Sequence, residues 1–319
     1  MLNIYKQYAK NTKNLYSPRS NSNGVKLKLG IISVDWESII DEARMAGTSY
    51  RFNVLKPVER AVAAGFKHIE LELDTFYVIP NSFTAEVREK LLQLRDEEGV
   101  SFTAHLPIWS VDLSWLNEHI RRASISTIVE SIKMTEFLEP MYYVIHATGD
   151  QASKVYRELK GKKEVEFLLL PLLKRAKESL EEVISKTEID PRRLACETVE
   201  FPLSFTLELV EKYDTSFLVD TGHVLSGQME TTNVFEVVEK VRDRLVGFHL
   251  HDGYHRVING EVVRKDHLPL GSGDLPVKEF FQLLLDYNFS GPIVFELSLR
   301  EAIESLEYLR KNLNFEILI

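Results

Sequence analysis

The chain has 319 residues, 44% of them hydrophobic and 27% charged. That is the make-up of an ordinary globular protein with a large core. A net charge of −9 argues against a duplex nucleic acid as the main partner, since phosphate binding needs a basic face. The single cysteine, Cys196, excludes an intrachain disulfide and fits a cytoplasmic setting. The longest apolar run, Phe167–Leu173, is broken by Pro171 and is far short of the ~20 residues a membrane span needs.

In chain order, residues 1–24 are rich in Asn, Ser, Lys and Tyr and read as a loosely ordered arm. Residues 25–42 have no firm assignment and are expected to cover a barrel bottom, so residues 1–42 form an N-terminal extension and residues 43–319 the main domain. Strand-like runs follow at Ala46–Phe52, His68–Asp74, Ser101–Ile108, Tyr142–Thr148, Arg193–Glu200, Thr215–Asp220, Arg244–His251 and Gly291–Leu297. Runs with a helical period lie between them, at Val54–Ala64, Ala85–Glu97, Ile120–Leu138, Val165–Lys186, Leu203–Tyr213, Asn233–Val241, Val277–Tyr287 and Glu301–Asn312. Regular alternation of this kind predicts a (β/α)8 TIM barrel, with a doubly wound open sheet as the competitor.

The strand ends decide between them. Six apolar runs each stop on one metal-type side chain: FTAH on His105, YVIH on His146, LACE on Glu197, FLVD on Asp220, VGFH on His249 and IVFE on Glu296. An ionisable group at the end of a buried strand is costly unless paired or coordinated. A closed barrel brings all six ends to one face, whereas an open sheet spreads them along a line. His223 follows Asp220 in D-T-G-H, His251 shares the side of His249, and His267 lies in the loop DHLPLGSGD. This donor set exceeds one tetrahedral zinc and suits two or three divalent ions with Glu197 as the bridge. Cys196, next to Glu197, should face the helix layer. His68 and His119 fall outside the pattern and read as non-catalytic. The turn Gly271–Asp274 reads as the floor of a lid over the metals.

With these motifs in place, the chain resembles the xylose-isomerase-like TIM-barrel superfamily, which includes the endonuclease IV group (AP endonuclease family 2) and many sugar isomerases and epimerases. The likeness covers roughly residues 43–312. It is carried by HLP at 105, IHATG at 145, CE at 196, LVDTGH at 218, FHLHDG at 248, DHLPLGSG at 266 and VFELS at 294. The endonuclease IV branch implies three metals, on His105, His146, Glu197, Asp220, His223, His249, His267 and Glu296. Its remaining Asp ligand falls on Lys265, a departure that puts the third metal in doubt. The isomerase and epimerase branch implies one metal on Glu197, Asp220, His249 and Glu296, with the two Glu residues moving a proton at carbon. The pieces GTSY, AHLPIWSVDL, YVIHATG, DTGHVLSG and DHLPLGSGDL are also similar to cobamide-remodelling phosphodiesterases, which implies the nucleotide loop of a corrinoid as substrate.

The leading expectation is therefore hydrolysis of a phosphodiester in a small phosphorylated metabolite, by metal-bound hydroxide at the C-terminal face of the barrel. Its metals (Zn, Mn or Fe) are expected on His105, His146, Glu197, Asp220, His249, His267 and Glu296. Glu197, His223 and Glu296 carry catalytic roles, and His251, Asp252 and Lys265 contact substrate. The alternatives are a one-metal sugar or sugar-phosphate isomerase or epimerase, and a non-catalytic binding barrel. The sequence does not give the oligomeric state.

Overall fold

A computed structural model describes residues 27–34, 39–40, 44, 53–79, 82–313 and 317–318. Eight parallel strands close into a ring: β1 Leu27–Ile32, β2 His68–Glu72, β3 Ser101–His105, β4 Tyr143–Ile145, β5 Leu194–Glu197, β6 Ser216–Asp220, β7 Leu245–Leu250 and β10 Pro292–Phe295. Closure comes from β1 lying beside β10, with Lys28 opposite Pro292 and Ile31 opposite Phe295. On its other edge β1 pairs with β2 through Ile31 and Ile69. This is the (β/α)8 barrel that the alternation predicted.

One expectation needs correcting. The first barrel strand is Leu27–Ile32, inside the stretch set apart as extension. Its register against both neighbours makes it part of the ring rather than a cover beneath it. The run Ala46–Phe52, expected to be the first strand, lies outside the described residues.

The helices that alternate with the ring strands among the described residues are α1 Leu55–Ala63, α2 Ala85–Glu98, α3 Glu118–Thr135, α4 Val165–Thr187, α5 Leu203–Tyr213, α6 Val234–Val241, α7 Val277–Asp286 and α8 Leu299–Asn312, with a further helix, Asp150–Leu159, before α4. Their starts are set by side chains that accept orphan N–H groups. Thr84 accepts from Val87 N, Asn233 from Phe235 N, and Ser298 forms a capping box with Glu301. The main core lies between ring and helices. Alternate strand residues such as Ile69, Leu71, Ile145, Cys196, Phe217, Val219 and Phe248 point into it and are fully buried. Cys196 packs there, as expected.

The other alternate residues face the barrel axis. They fix what the interior contains, because no strand in a closed parallel barrel has a solvent face. On β5 and β6 the axial residues below the rim are Ala195 and Leu218, which cluster with Tyr142 and Val144.

Between β7 and β10 the chain inserts an antiparallel hairpin, β8 Asp252–Ile258 and β9 Glu261–Leu268. Its turn residues Asn259 and Gly260 both have positive φ, 52° and 85°. That is the geometry an Asn-Gly pair supplies in a two-residue hairpin loop. His267, expected in a loop, therefore sits on strand β9. No helix among the described residues is long and apolar enough to cross a membrane.

Candidate metal centre

All six strand-end residues meet at the C-terminal rim. Glu197, Asp220, His249 and Glu296 each bring a donor atom within 4.8 Å of the other three. His105, Glu197 and His249 form a second such group, and His251, His267 and Glu296 a third. Glu197 is the hub. Its Oε2 lies 2.8 Å from His146 Nε2 and 3.2 Å from His105 Nε2, and its Oε1 lies 3.1 Å from His249 Nδ1. His267 enters from the hairpin, with Nε2 3.5 Å from Glu296 Oε1.

Local structure explains the D-T-G-H spacing. Asp220 ends β6 and at once caps the short helix Thr221–Leu225, its Oδ1 accepting from His223 N at 2.6 Å. The cap holds the carboxylate at the rim and turns His223 back over it. His223 Nδ1–H donates to the Thr198 carbonyl at 2.9 Å. His105 Nδ1–H does the same to the Leu106 carbonyl at 2.9 Å, and His249 Nε2–H donates to Glu70 Oε1 at 2.6 Å. Each of these three rings is tethered through one nitrogen, the arrangement that leaves the other for a metal.

His249 supplies the test of fit. With Nε2 holding the proton, Nδ1 carries a lone pair. That nitrogen faces Glu197 Oε1 at 3.1 Å, Glu296 Oε2 at 3.2 Å and Asp220 Oδ2 at 3.8 Å. One ring nitrogen cannot satisfy three carboxylates, and Glu296 Oε2 is buried with no hydrogen-bond partner. A divalent cation among these donors satisfies all of them, and mixed imidazole and carboxylate suits Zn²⁺ or Mn²⁺. The residues fit the group.

The electrostatics agree. Burial alone would raise the Glu197 carboxyl, but the imidazoles of His249 and His146 and the hydrogen bonds from His105 and His146 hold it well below the usual range. Glu296 is likewise held low against burial, by His249 and His267. Burial would lower His249, yet Glu197, Glu70 and Glu296 push it well above its ordinary value. The cluster demands positive charge.

Two carboxylates missing from the sequence reading join the site. Glu70, on β2, is fully buried and bonded to His249. Glu72, two residues on and so on the same side, lines the cavity over the site. Burial is the main cause that pushes the Glu72 carboxyl up to about 8. The alternation in H-I-E-L-E-L-D could have revealed both, because the polar side of a barrel strand has only the axis to face.

Three expected substrate contacts are corrected. His251 is fully buried with both nitrogens engaged, Nδ1 accepting from His267 N at 2.8 Å and Nε2 donating to Asp220 Oδ2 at 2.8 Å. It stacks under His267, ring centroids 4.2 Å apart, and acts as its support. Asp252 is fully buried and accepts backbone N–H groups from Gly253, Gly271, Gly273 and Leu275. It ties down the turn Gly271–Asp274 and has no face for a ligand. Lys265 is exposed on β9 and lines neither cavity at the rim. Asp266, its neighbour, is held between His267 Nδ1 at 3.1 Å and Gln228 Nε2 at 2.9 Å.

The rim opens into a cavity of about 460 Å³, lined on one side by Glu72, His105, His146, Glu197, His223, His267 and Glu296 and on the other by Ile32, Val34, Ile108, Trp109 and Leu297. A second cavity of about 460 Å³ adjoins it, sharing Ile108, Trp109, His146 and His223.

Residues 58–312 match the family model described as xylose isomerase-like TIM barrel. The chain belongs to that family. No curated protein matches it. Among solved structures, a D-tagatose 3-epimerase-like protein superposes with a TM-score of 0.66 at 20% identity, covering 89% of this chain and 96% of the other. D-psicose 3-epimerase from Clostridium cellulolyticum H10, solved with D-tagatose, gives 0.58 at 16% identity, covering 89% and 99%. A xylose isomerase-like TIM barrel protein from Mycobacterium smegmatis in complex with magnesium gives 0.54 at 14% identity, covering 81% and 87%. At these identities the likeness is one of fold. The phosphodiesterase activity and the cobamide-remodelling group expected from the sequence find no support among them.

Proposed function

We propose that this xylose isomerase-like barrel is a metal-dependent isomerase or epimerase of a sugar or sugar-like substrate. The observation that carries the proposal is the convergence of Glu197, Asp220, His249 and Glu296 on one point, with Glu197 ending β5 and Glu296 following β10. A divalent ion held by these four would polarise a carbonyl and the hydroxyl beside it. Glu197 and Glu296 then take a proton from one face of the substrate carbon and return one at the other. His223, with Nδ1 tied to Thr198, presents Nε2 to a substrate oxygen. The apolar wall of Ile108 and Trp109 excludes water from the reacting face. The epimerases among the structural neighbours support this reading.

A second reading, hydrolysis of a small phosphodiester, is favoured by one observation. His105 and His146 both aim Nε2 at Glu197 Oε2, which makes Glu197 able to bridge two ions. Native mass spectrometry with elemental analysis, run beside deuterium wash-in from D₂O with D-fructose, D-tagatose and D-psicose, separates the two. One tight metal and deuterium at a carbon next to the carbonyl are expected. Two metals with cleavage of bis(p-nitrophenyl) phosphate and no wash-in would replace the first reading by the second. A protein that binds no divalent ion would remove both.

A further inference from the structure

A buried polar column climbs one side of the barrel interior and ends on His249. At its base, His68 places Nδ1 2.9 Å from Ser101 Oγ and Nε2 3.1 Å from Thr103 Oγ1. Thr103 Oγ1 lies 2.8 Å from Glu70 Oε2, and Glu70 Oε1 lies 2.6 Å from His249 Nε2. His68, Glu70, Thr103 and His249 are all fully buried. Gly30 on β1 makes room for the base, since a Cβ there would stand 2.6 Å from His68 Cδ2.

Counting protons gives the column a direction. A threonine hydroxyl has one hydrogen, a neutral imidazole one N–H, and a carboxylate none. With Glu70 as a carboxylate, Thr103 O–H donates to Oε2 and His249 Nε2–H to Oε1. The Thr103 oxygen then accepts from His68 Nε2–H, and His68 Nδ1 accepts from Ser101 O–H. Ser101 ends the column, 3.1 Å from the Lys67 carbonyl that is the other acceptor for its proton. Reversing any link leaves two lone pairs, or two hydrogens, facing each other away from water, which the column cannot relieve. Burial, with help from the Lys28 charge, pushes His68 down to about 3, which keeps it a neutral imidazole with a single N–H.

We propose that His68, Thr103 and Glu70 are positioning residues that hold the His249 proton on Nε2, so that Nδ1 is the nitrogen left to meet a divalent ion. The tautomer follows from the column alone, and its consequence for metal affinity rests on the proposed function. Long-range ¹H–¹⁵N correlation on metal-free, ¹⁵N-histidine-labelled protein tests the first part, with His249 assigned by its loss in His249→Asn. Read at a pH high enough that the ring holds a single proton, the expected pattern is a protonated Nε2 and a bare Nδ1, shifted toward a mixture in Thr103→Val and Glu70→Gln and restored in Thr103→Ser. Mn²⁺ affinity, read from free Mn²⁺ by electron paramagnetic resonance, should fall about 10–100-fold in Glu70→Gln, the usual loss for an outer partner of a ligand. Thr103→Val should lose less, and Thr103→Ser should match the parent. A bare Nε2 in the parent protein would overturn the proposal. So would parent-like tautomer and Mn²⁺ affinity in both Thr103→Val and Glu70→Gln. If Glu70→Gln fails to fold, the parent spectrum and the Thr103 pair still decide. If the parent binds no Mn²⁺, the metal reading fails and the tautomer measurement still judges the column.

Discussion

Two sectors of the same barrel interior are built from opposite materials. Under the rim on the β2–β3 side stand His68, Glu70 and Thr103, a hydrogen-bonded polar stack. Beside it, on the β4–β6 side, Tyr142, Val144, Ala195 and Leu218 form a largely apolar plug that buries the Tyr142 hydroxyl without a partner. Both sectors are buried, and both have rim residues above them. The apolar plug sits beneath Glu197 and Asp220, which the rim itself orients through His105, His146 and the cap on His223. The polar stack sits beneath His249, whose outward nitrogen finds its partner, Glu70, only from below. The hydrogen-bonded polar groups of this interior stand where a ligand is held from inside, and the other sector is mostly hydrocarbon.

The comparison can be broken most severely at the rim. Glu197→Gln removes the hub that both sectors serve, and divalent affinity should fall by more than the ~100-fold typical of an outer partner. Isothermal titration with Mn²⁺ reads this, and parent-like affinity would show that Glu197 is not a ligand. The apolar sector should answer differently. Leu218→Ala should cost about 2–5 kcal/mol of stability from the cavity it leaves, with Mn²⁺ affinity changed less than about threefold. Urea unfolding measures the first number, and a large affinity loss would mean the plug also positions ligands. Away from both sectors, Asp252→Ala should cost about 1–3 kcal/mol. It should also speed hydrogen exchange at the Gly271, Gly273 and Leu275 amides, whose shared acceptor it removes.

The comparison is sharpened last through pH, one pH unit at a time. His68 has its pKa pushed from 6.5 down to about 3 in the folded protein, by burial first and by Lys28 second. Between those values the unfolded chain takes up a proton that the folded protein refuses. Stability contributed by neutral His68 is therefore complete above pH 6.5 and drains as pH falls, by up to about 1.4 kcal/mol per pH unit. His68→Asn should flatten that part of the stability curve relative to the parent. Equal slopes in the two proteins would show that His68 does not stay neutral.

Much of this was legible in the sequence, for a physical reason. A buried parallel strand reads as an unbroken apolar run, so the one polar residue that ends it stands out, as His105, Asp220 and Glu296 do. Glu70 and Glu72 hid because they alternate with Ile69, Leu71 and Leu73 in the manner of a half-exposed strand. Only closure of the ring shows that their side has no solvent to face. Leu27–Ile32 was passed over for a similar reason. Lys28 and Gly30 interrupt its apolar pattern, yet one is at the barrel floor and the other gives space to His68. Asn259-Gly260 announces the hairpin, but its arms carry charged residues at Arg256, Glu261, Arg264, Lys265 and Asp266 and lack the apolar run of a buried strand. Asp252 shows the limit of residue type as a guide. A carboxylate beside two rim histidines looked like a substrate contact, and the backbone amides of Gly253, Gly271, Gly273 and Leu275 consume it.

The hairpin between β7 and β10 shares no ladder with the ring, and it delivers a single imidazole to the rim. His267 has a φ of 50° and sits where the hairpin ladder shifts register, so a change at that bulge would re-aim the imidazole and leave the six strand-end donors where they are. Chemistry at the mouth of this molecule is thereby uncoupled from the integrity of its scaffold. A lineage of such barrels can change what it acts on by drift in the part of the hairpin beyond Asp252, which no ring strand pairs with.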